Sequence, residues 1–524
     1  TQDGAGAGRG PHARGYGPRI GASQRRPNAP SHLRAGARVR PFLLERPLVL
    51  SERLRTFTHA GRVYAHASAV PLVSLAPSAG LLDLLRRFSE PRRLGDVVDG
   101  SPARADVAFL EALHRLGILL DAGAPDPVHS FRGVAGASRS LTLYPSGGCD
   151  LRCVYCHATS GSPAGRRLPA GHAAVAVDDF FASLAPGAQR VALSFHGGGE
   201  PTTNLAVMEA SWERFRGHAA ERGLRAAALV ITNGAFGPAA RRTLQQPGWQ
   251  VEVSYDGPLQ GRQRPTASGR DSRSRVVSNL RALRDAGTLM RIRATITRDG
   301  LSALRALVDD AVEVGIRRVQ VEPVSPAGRG EGLPDGPPEP EAFAEAFLDA
   351  LGHALRRGVE LVTAAWSHTR VGDGLYCAAL AGARALTPDG FVSACSETCD
   401  GHDPADPFLV GRLDAARGRV EIWPEREALL RRRVGYDLPG CQACFLVDTC
   451  AGGCAARART LGGDPFRRNE LHCATALRVN ARLLADLADG RLLPDAGWQP
   501  VEARLDPSES ALPGVWGRVV ALVP

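Results

Sequence analysis

The stretch that decides the fold is Cys149-Asp-Leu-Arg-Cys-Val-Tyr-Cys-His-Ala158, which follows a short β-like run at residues 141–145. Three and then two residues separate its cysteines, Cys149, Cys153 and Cys156. Three thiolates at this spacing can hold three irons of a cubane iron–sulfur cluster and leave the fourth iron without a protein ligand. A closed structural zinc site takes four ligands instead. We call residues 149–156 the cysteine loop and predict that it holds a cluster with one iron open to a small molecule.

Short apolar runs alternate with amphipathic segments from residue 140 to about residue 330. Repeated strand–helix units indicate a parallel sheet with helices outside it. The pattern therefore predicts an α/β fold, a partial (βα)6 TIM-type barrel that binds its ligand at the carboxyl ends of the strands. The predicted strands are 140–145, 190–196, 226–232, 250–255, 290–297 and 317–323. The predicted helices lie near 169–185, 204–222, 237–246, 272–286 and 301–315.

Three of the predicted strands end in residues suited to ligand binding. The second ends in the run Gly197-Gly-Gly-Glu-Pro201, where the backbone has no Cβ to keep a ligand away. The third ends at Asn233. The fourth ends at Ser254 and is followed by Arg262 and Arg264, whose guanidinium geometry suits a carboxylate.

The cysteine loop, with Tyr155 inside it, and the glycine run together resemble the signature of the radical S-adenosylmethionine superfamily. The resemblance implies that Cys149, Cys153 and Cys156 carry the catalytic cluster. It also implies that Gly198 and Gly199 bind the methionine ammonium group of S-adenosylmethionine, with Glu200 as a supporting acceptor. The cofactor-binding residues expected from this resemblance are Tyr155, Gly198, Gly199, Glu200, Asn233, Ser254, Arg264 (or, in its place, Arg262) and Val319.

The other eight cysteines lie between residues 377 and 473, and eight thiolates suffice for two fully ligated cubanes. Their spacing resembles the SPASM domain appended to many radical enzymes. By resemblance, a distal auxiliary cluster is held by Cys441, Cys444, Cys450 and Cys473, and a nearer one by Cys377, Cys395, Cys454 and, as candidate fourth ligand, Cys399. If Cys399 is not a ligand, the nearer cluster keeps an iron that can bind substrate. A zinc ribbon is the alternative interpretation of these cysteines.

Residues 39–124 combine strand-like and helical segments in an order that resembles a small winged-helix domain. It looks like the peptide-recognition modules of ribosomal-peptide modifying enzymes, which are similar to the pyrroloquinoline-quinone chaperone family. Such modules bind a leader peptide as an added strand. A purely structural winged helix and a DNA-binding one remain open. The other predicted regions are a disordered segment (1–38), a linker (125–139), the barrel (140–330), a bridge (331–376), the SPASM domain (377–478), and a C-terminal helix with a Pro-rich tail (479–524).

The composition excludes several classes of protein. All 64 basic residues are Arg, so the chain has no Schiff-base lysine and no P-loop lysine. The net charge of +10 accompanies abundant Ala and Gly, which indicates GC-rich codon usage rather than nucleic-acid binding. No apolar run is long enough for a membrane span, and the N-terminal residues lack a secretory signal. We therefore expect a cytoplasmic protein without nucleic-acid or membrane partners.

The resemblance implies that a 5′-deoxyadenosyl radical removes a hydrogen from a substrate side chain. The expected function is a maturase that crosslinks a ribosomally made precursor peptide through a carbon–carbon (cyclophane-type) or thioether bond. An electron donor such as flavodoxin or ferredoxin is expected as a partner. Sulfatase-type oxidation to formylglycine is an alternative. However, Ser396 stands at the position where sulfatase-maturing relatives carry an Asp that acts as a base. Epimerisation of the peptide is another alternative, and it would need a hydrogen donor such as Cys399. The non-enzymatic alternative is a zinc-ribbon protein that binds nucleic acid.

Overall fold

The computed structural model describes residues 46–67, 72–97, 103–124, 140–160, 165–334, 336–366, 374–399, 403–491, 499–510, 512 and 515–523. The predicted disordered segment 1–38 and the predicted linker 125–139 lie outside the described residues. No helix among the described residues is long and apolar enough to cross a membrane.

The strands are β1 (Pro47–Leu50), β2 (Leu54–His59), β3 (Arg62–Ala67), β4 (Leu72–Pro77), β5 (Arg92–Arg93), β6 (Leu119–Asp121), β7 (Ser140–Leu143), β8 (Arg190–Phe195), β9 (Arg225–Thr232), β10 (Trp249–Ser254), β11 (Leu289–Ile296), β12 (Arg318–Pro323), β13 (Glu360–Val362), β14 (Ala385–Leu386), β15 (Phe391–Ser393), β16 (Leu409–Asp414), β17 (Arg419–Ile422), β18 (Gln499–Leu505) and β19 (Gly517–Val523). The helices are α1 (Ala79–Arg86), α2 (Leu94–Val97), α3 (Arg104–Arg115), α4 (Ala170–Ala182), α5 (Leu205–Glu221), α6 (Pro238–Leu244), α7 (Gln260–Gln263), α8 (Arg273–Asp285), α9 (Leu304–Val314), α10 (Pro340–Arg356), α11 (Pro424–Arg431), α12 (Val447–Cys450), α13 (Ala455–Gly462) and α14 (Glu470–Ala488).

The centre of the molecule is a large, mostly parallel sheet of the α/β class. Strands β7 to β13 lie side by side in chain order, and every neighbouring pair is parallel. The six strands and five helices predicted between residues 140 and 330 are confirmed within a few residues. A further unit, α10 and β13, falls in the predicted bridge and adds a seventh parallel strand.

The Cys-rich part of the chain continues the same sheet. Strand β14 pairs in parallel with β7, and β14 to β17 then follow as an antiparallel series. The cysteine loop leaves β7, so the strand that positions the loop is hydrogen-bonded on one side to β8 and on the other to the Cys-rich part. This shared sheet fixes the two groups of cysteines relative to each other.

The parallel strands have two chemically different faces because side chains alternate along a strand. On β11, Ile292 and Ala294 are buried in the main hydrophobic core, while Arg291, Arg293 and Thr295 are half-buried on the opposite face. We call the face that carries these three residues the inner face. The core side is filled by apolar residues of the strands and of the covering helices, including Phe180, Phe195, Phe215, Phe343 and Phe347.

Both ends of the described chain meet in one antiparallel sheet. Strands β2, β3 and β4 form a meander, and β19 pairs with β4 over six register pairs from Leu72↔Leu522 to Pro77↔Gly517. The C-terminal helix predicted within residues 479–524 is α14, which begins earlier, at Glu470. The segment predicted to be a Pro-rich tail contains the β18–β19 hairpin. A smaller sheet, in the order β5-β1-β6, completes the N-terminal part.

Candidate active site

The cysteine loop is held against the segment that follows β10. The backbone N–H of Arg152 donates to the carbonyl of Pro265 at 2.7 Å, and that of Val154 donates to the carbonyl of Gln263 at 2.9 Å. The side chains of Cys149 and Cys153 are partly buried and pack against the main core. Burial is the main cause that raises the pKa of the Cys149 thiol to about 12.

Glu200 connects the glycine run to the cysteine loop. Its buried carboxylate accepts hydrogen bonds from the Thr232 hydroxyl at 2.7 Å, the Asn233 N–H at 2.7 Å and the Thr202 hydroxyl at 2.6 Å. Its backbone N–H donates to the carbonyl of Gly148 at 2.8 Å. Burial, together with the charge of Asp150, raises the pKa of Glu200 to about 7, against the effect of these hydrogen bonds. The carboxylate therefore joins the segment after β8 to the end of β9, while the backbone N–H of Glu200 reaches the residue that precedes the cysteine loop.

Asn233 reaches the first cysteine directly. Its side-chain amide donates to Asp150 Oδ1 at 2.7 Å and lies 3.7 Å from Cys149 Sγ. The structure thus brings two predicted site residues, Asn233 and Glu200, to the loop.

Gly198 and Gly199 leave no room for side chains. A Cβ at Gly199 would collide with the carbonyl oxygen of Gly148, and a Cβ at Gly198 would lie 3.2 Å from the Cβ of Ala158. The Ser160 hydroxyl donates to the carbonyl of Gly198. The glycine run therefore packs closely against the residues on both sides of the cysteine loop, and glycines permit this close approach.

Tyr155, Asp256 and Arg264 form a buried group on the other side of the loop. Asp256 Oδ2 accepts from the Tyr155 hydroxyl and from Arg264 Nε, the latter at 3.0 Å. The Arg264 guanidinium lies over the Tyr155 ring at 5.2 Å and 4.0 Å from Cys153 Sγ. The ion pair with Asp256 keeps the pKa of Arg264 raised despite its burial.

The remaining predicted cofactor residues are less close to the loop. Ser254 ends β10, is half-buried and pairs in register with Arg293 of β11. Arg262 is exposed and forms a surface ion pair with Asp299 at 3.2 Å. Val319 is 1% exposed in the main core, so the structure does not bring its side chain to the loop.

Arg329 is a functional-site residue that the sequence analysis missed. Its Nε donates to the carbonyl of Cys153 at 2.8 Å, its Nη1 to the carbonyl of Ser160 at 3.1 Å, and its backbone N–H to the carbonyl of Cys156 at 3.0 Å. Arg329 therefore clamps the cysteine loop from the segment after β12. The signal available in the sequence was a basic residue between two glycines just beyond a strand end, at Gly328-Arg-Gly330.

The later cysteines fall into two neighbourhoods with a buried arginine between them. The thiols of Cys377 and Cys454 act electrostatically on Cys395, and those of Cys444 and Cys473 act on both Cys441 and Cys450. Burial is the main cause that raises the pKa of Cys441 to about 11 and that of Cys450 to about 12.

Arg433 is 1% exposed and lies within electrostatic reach of cysteines of both neighbourhoods, Cys454 and Cys377 on one side and Cys441 and Cys450 on the other. Its guanidinium donates to the backbone carbonyls of Ala451, Gly452, Pro465 and Arg467.

Cys399 lies next to the glycine run. A Cβ at Gly198 would be 2.8 Å from the Cβ of Cys399 and 3.1 Å from its Sγ. The Cys399 thiol is also 4.0 Å from His157 Nε2, one residue beyond the cysteine loop. Its hydrogen donates to the carbonyl of Ser396 at 3.1 Å. The structure therefore brings Cys399 close to the glycine run and to the residue that follows the cysteine loop.

Near Cys395, the acidic residues Glu397 and Asp403, which the structure describes, form ion pairs with arginines. Glu397 Oε1 accepts from Arg457 Nε at 3.0 Å, and Asp403 pairs with Arg459 at 3.2 Å. Asp400 and His402, which follow Cys399 in the sequence, lie outside the described residues. Glu397 acts electrostatically on His157, whose pKa is lowered mainly by burial.

The donor set fits an iron–sulfur cluster with S-adenosylmethionine. Three thiols share one loop, two guanidiniums face it, and a glycine run with no room for side chains lies beside it. Among the described residues, no three Cys, His, Asp or Glu side chains are arranged around a single metal ion. A cubane does not require that arrangement, because it takes each thiolate on a different iron.

The chain is similar to known proteins in sequence and in fold. No family model matches the sequence. The AdoMet-dependent heme synthase of Methanosarcina barkeri is 25% identical over 366 residues, which cover 65% of this chain and 97% of the relative. Mycofactocin maturase MftC of Mycolicibacterium smegmatis is 25% identical over 364 residues, which cover 67% of this chain and 86% of the relative.

Among solved structures, anSMEcpe with bound AdoMet is similar, with a TM-score of 0.54 at 18% identity over 67% of this chain and 96% of that chain. This likeness shows the fold. In sequence the chain is thus similar to an AdoMet-dependent synthase and to a maturase, and these two likenesses support an enzymatic role. One of the two curated relatives is a maturase.

Proposed function

We propose that the chain is a radical S-adenosylmethionine peptide maturase that crosslinks a ribosomally made precursor peptide through a carbon–carbon (cyclophane-type) or thioether bond. The observation that carries the proposal is the junction at Asn233. Its side chain is 3.7 Å from Cys149 Sγ, and its backbone N–H donates to Glu200. This junction holds a three-thiol loop and a glycine run together as a single ligand site.

The bound cofactors and the protein side chains contribute different parts of the reaction. When bound, the cluster and S-adenosylmethionine supply a 5′-deoxyadenosyl radical that removes a substrate hydrogen. Cys149, Cys153 and Cys156 hold the cluster, and Gly198 and Gly199 admit the methionine end of the cofactor. Tyr155, Asn233, Ser254 and Arg264 complete the cofactor site in this proposal, and Glu200 acts through the residues it joins. Val319 can contribute only its backbone, because its side chain lies in the core.

Residues 377–478 are proposed to form a SPASM domain with two auxiliary clusters. The two neighbourhoods of cysteines around Arg433 support this division. In this proposal Cys441, Cys444, Cys450 and Cys473 hold the distal cluster, and Cys377, Cys395 and Cys454 hold the nearer one. The position of Cys399 beside Gly198 favours the variant in which it is not the fourth ligand.

Residues 39–124 are proposed to recognise the precursor as a winged-helix-like module. Peptides that bind as an added strand need a sheet edge. In the described part, β5 and β6 border the small sheet and β2 borders the larger one. A flavodoxin or ferredoxin as electron donor, and a cytoplasmic location, complete the proposal.

The test is anaerobic reconstitution of the full chain with iron and sulfide, followed by reaction with S-adenosylmethionine, a reductant and a candidate precursor peptide. The expected results are about twelve irons per chain, release of 5′-deoxyadenosine, and a product lighter by two hydrogens with a bond between two side chains. The matched control replaces Cys149, Cys153 and Cys156 with Ala. Formylglycine in the product, or an unchanged mass with one inverted residue, would favour oxidation or epimerisation. An iron-free, zinc-loaded protein would contradict every enzymatic interpretation.

A further inference from the structure

The inner face of the parallel sheet carries two arginines that the site described above does not use. Arg291 and Arg293 alternate with buried Ile292 and Ala294 on β11, so both project from the inner face. Their side chains are 39% and 36% exposed. They come from the middle of a central strand, not from a surface loop.

One carboxylate serves both guanidiniums. Glu252 of β10 is 2% exposed and pairs in register with Arg291. Arg291 Nη2 lies 2.6 Å from Glu252 Oε1, while Arg293 Nη1 is 4.0 Å from Glu252 Oε2. Among the described residues, the Arg293 guanidinium has no hydrogen bond. Two positive charges and one negative charge leave this group of three side chains one positive charge in excess.

Glu322, the neighbouring acid on the same face, already accepts hydrogen bonds from other residues. Glu322 of β12 accepts from the Gln320 side chain at 2.8 Å and from the backbone N–H of Ala364 at 2.7 Å. It is therefore occupied by donors from β12 and from the segment after β13. Arg293 keeps its hydrogen-bonding capacity for a ligand.

Arg293 faces the reaction site. It pairs in register with Ser254, and its charge helps burial to lower the pKa of His196, the residue before the glycine run. Along the sheet, β11 is three strands from β8, a path of about 14 Å at about 4.8 Å per strand. In the proposed function, Arg264 is the arginine assigned to the cofactor, which leaves Arg293 available for a different partner.

We propose that Arg293, supported by Arg291, binds a carboxylate of the substrate peptide on the inner face of the sheet. This inference rests on the proposed function and names one feature of its substrate, an acidic residue near the reacting side chain. A guanidinium forms two parallel hydrogen bonds with a carboxylate, and this pairing is stronger in a site shielded from water. An amide of the same shape supplies one acceptor and no charge.

The test uses the full chain reconstituted under anaerobic conditions and phenylglyoxal, which modifies accessible arginines. The rate of modification at Arg293 is read by mass spectrometry with no addition, with S-adenosylmethionine, and with acetyl-Glu-Glu-Glu-amide or acetyl-Gln-Gln-Gln-amide added to the S-adenosylmethionine-loaded protein. We expect the glutamate peptide to slow modification of Arg293 at least threefold and the glutamine peptide to leave it unchanged. Arg298, an exposed arginine with a surface ion pair, serves as the internal control.

Three results would overturn the proposal. Protection by S-adenosylmethionine alone, with no further effect of the glutamate peptide, would assign the carboxylate to the cofactor. Equal rates under all conditions would exclude a carboxylate site. Absence of modification in the free protein would show that the guanidinium is closed to ligands. Cleavage of S-adenosylmethionine in parallel samples that contain a reductant reports on the proposed function separately, because peptide protection of Arg293 does not depend on turnover.

A second readout uses Arg293→Gln and Arg293→Lys. Fluorescently labelled acetyl-Glu-Glu-Glu-amide is expected to bind the Arg293→Gln protein at least fivefold more weakly than the wild type, with an intermediate value for Arg293→Lys. The dissociation constant of S-adenosylmethionine should change less than twofold. A large loss of S-adenosylmethionine binding with unchanged peptide binding would contradict the proposal.

Discussion

Arg264 and Asp256 form an ion pair of 3.0 Å in which the side chains are only 9% and 2% exposed. The same carboxylate accepts the Tyr155 hydroxyl, so one buried acid joins the segment after β10 to the cysteine loop. The thiol of Cys153 lies 4.0 Å from this arginine. The pair therefore couples the proposed cofactor site to the loop that is proposed to carry the cluster.

Replacing Asp256 with Asn should destabilise the sheet by about 3 kcal/mol, because it leaves a buried guanidinium without its counter-charge. Hydrogen exchange of β10 amides measures this loss. The matched control is Asp299→Asn, which removes the acid of the exposed pair with Arg262 and should cost less than about 0.5 kcal/mol. Equal losses in the two variants would show that the buried pair has no special role.

Cys399→Ala should keep the iron content of the wild type, because Cys399 lies against Gly198. Cys377→Ala should lose the nearer auxiliary cluster, about four of about twelve irons. Iron assays and electron paramagnetic resonance of the reduced proteins measure the difference. Loss of the same cluster in both variants would make Cys399 the fourth ligand, as the resemblance to SPASM domains implies.

His66 should make the N-terminal sheet less stable in mild acid. Burial lowers the pKa of His66 to about 4, and its Nδ1 is 2.8 Å from the carbonyl of Val73. The unfolded chain takes up a proton near pH 6.5, whereas the folded chain resists it to about pH 4. Stability is therefore lost as pH falls through this window, by about 3 kcal/mol in total.

Hydrogen exchange of β3 and β4 between pH 8 and pH 4.5, corrected for intrinsic exchange rates, measures this dependence. In His66→Asn, which keeps a polar side chain and removes the titrating ring, the slope should flatten. A slope that persists in the variant would assign it to other groups.

Deleting residues 499–524 should expose the edge of β4. The deletion removes the β19 partner strand and takes Leu505, Leu512, Val515 and Val519 from the N-terminal core. Amide exchange on β4 should accelerate at least 100-fold. Trp516→Ala, at a side chain that is 40% exposed, is the control and should leave the rate unchanged. Unchanged β4 protection in the deletion would show that the meander is stable alone.

The parallel sheet was predictable because each strand is a short apolar run between helical segments, as at residues 190–196 and 226–232. The role of Asn233 was indicated by its place at a strand end. Local patterns carry no information on contacts between distant segments. Arg329 reaches the carbonyl of Cys153 across 176 positions, and Cys399 reaches Gly198 from a different part of the sheet. Only the folded chain reveals either contact.

The burial of the Val319 side chain and the presence of the C-terminal hairpin were not indicated by the sequence, for different reasons. Val319 was assigned by resemblance at a position where strand alternation directs the side chain into the core. The sequence did not predict the hairpin because Pro500, Pro507 and Pro513 lie within or near it, and proline is uncommon in strands. Its partner strand β4 is also far away in the sequence. Pairing over such a separation leaves no periodic signal that joins the two segments.

The register between Pro77 and Gly517 also has a consequence for how the protein is made. About 440 residues separate these partners, so at about 5–20 residues per second the ribosome needs roughly 20 to 90 s to deliver β19 after β4 has emerged. During that interval, β4 has an unpaired edge that can accept another strand. The sheet that β2, β3 and β4 begin is thus completed only by a strand that is synthesised much later.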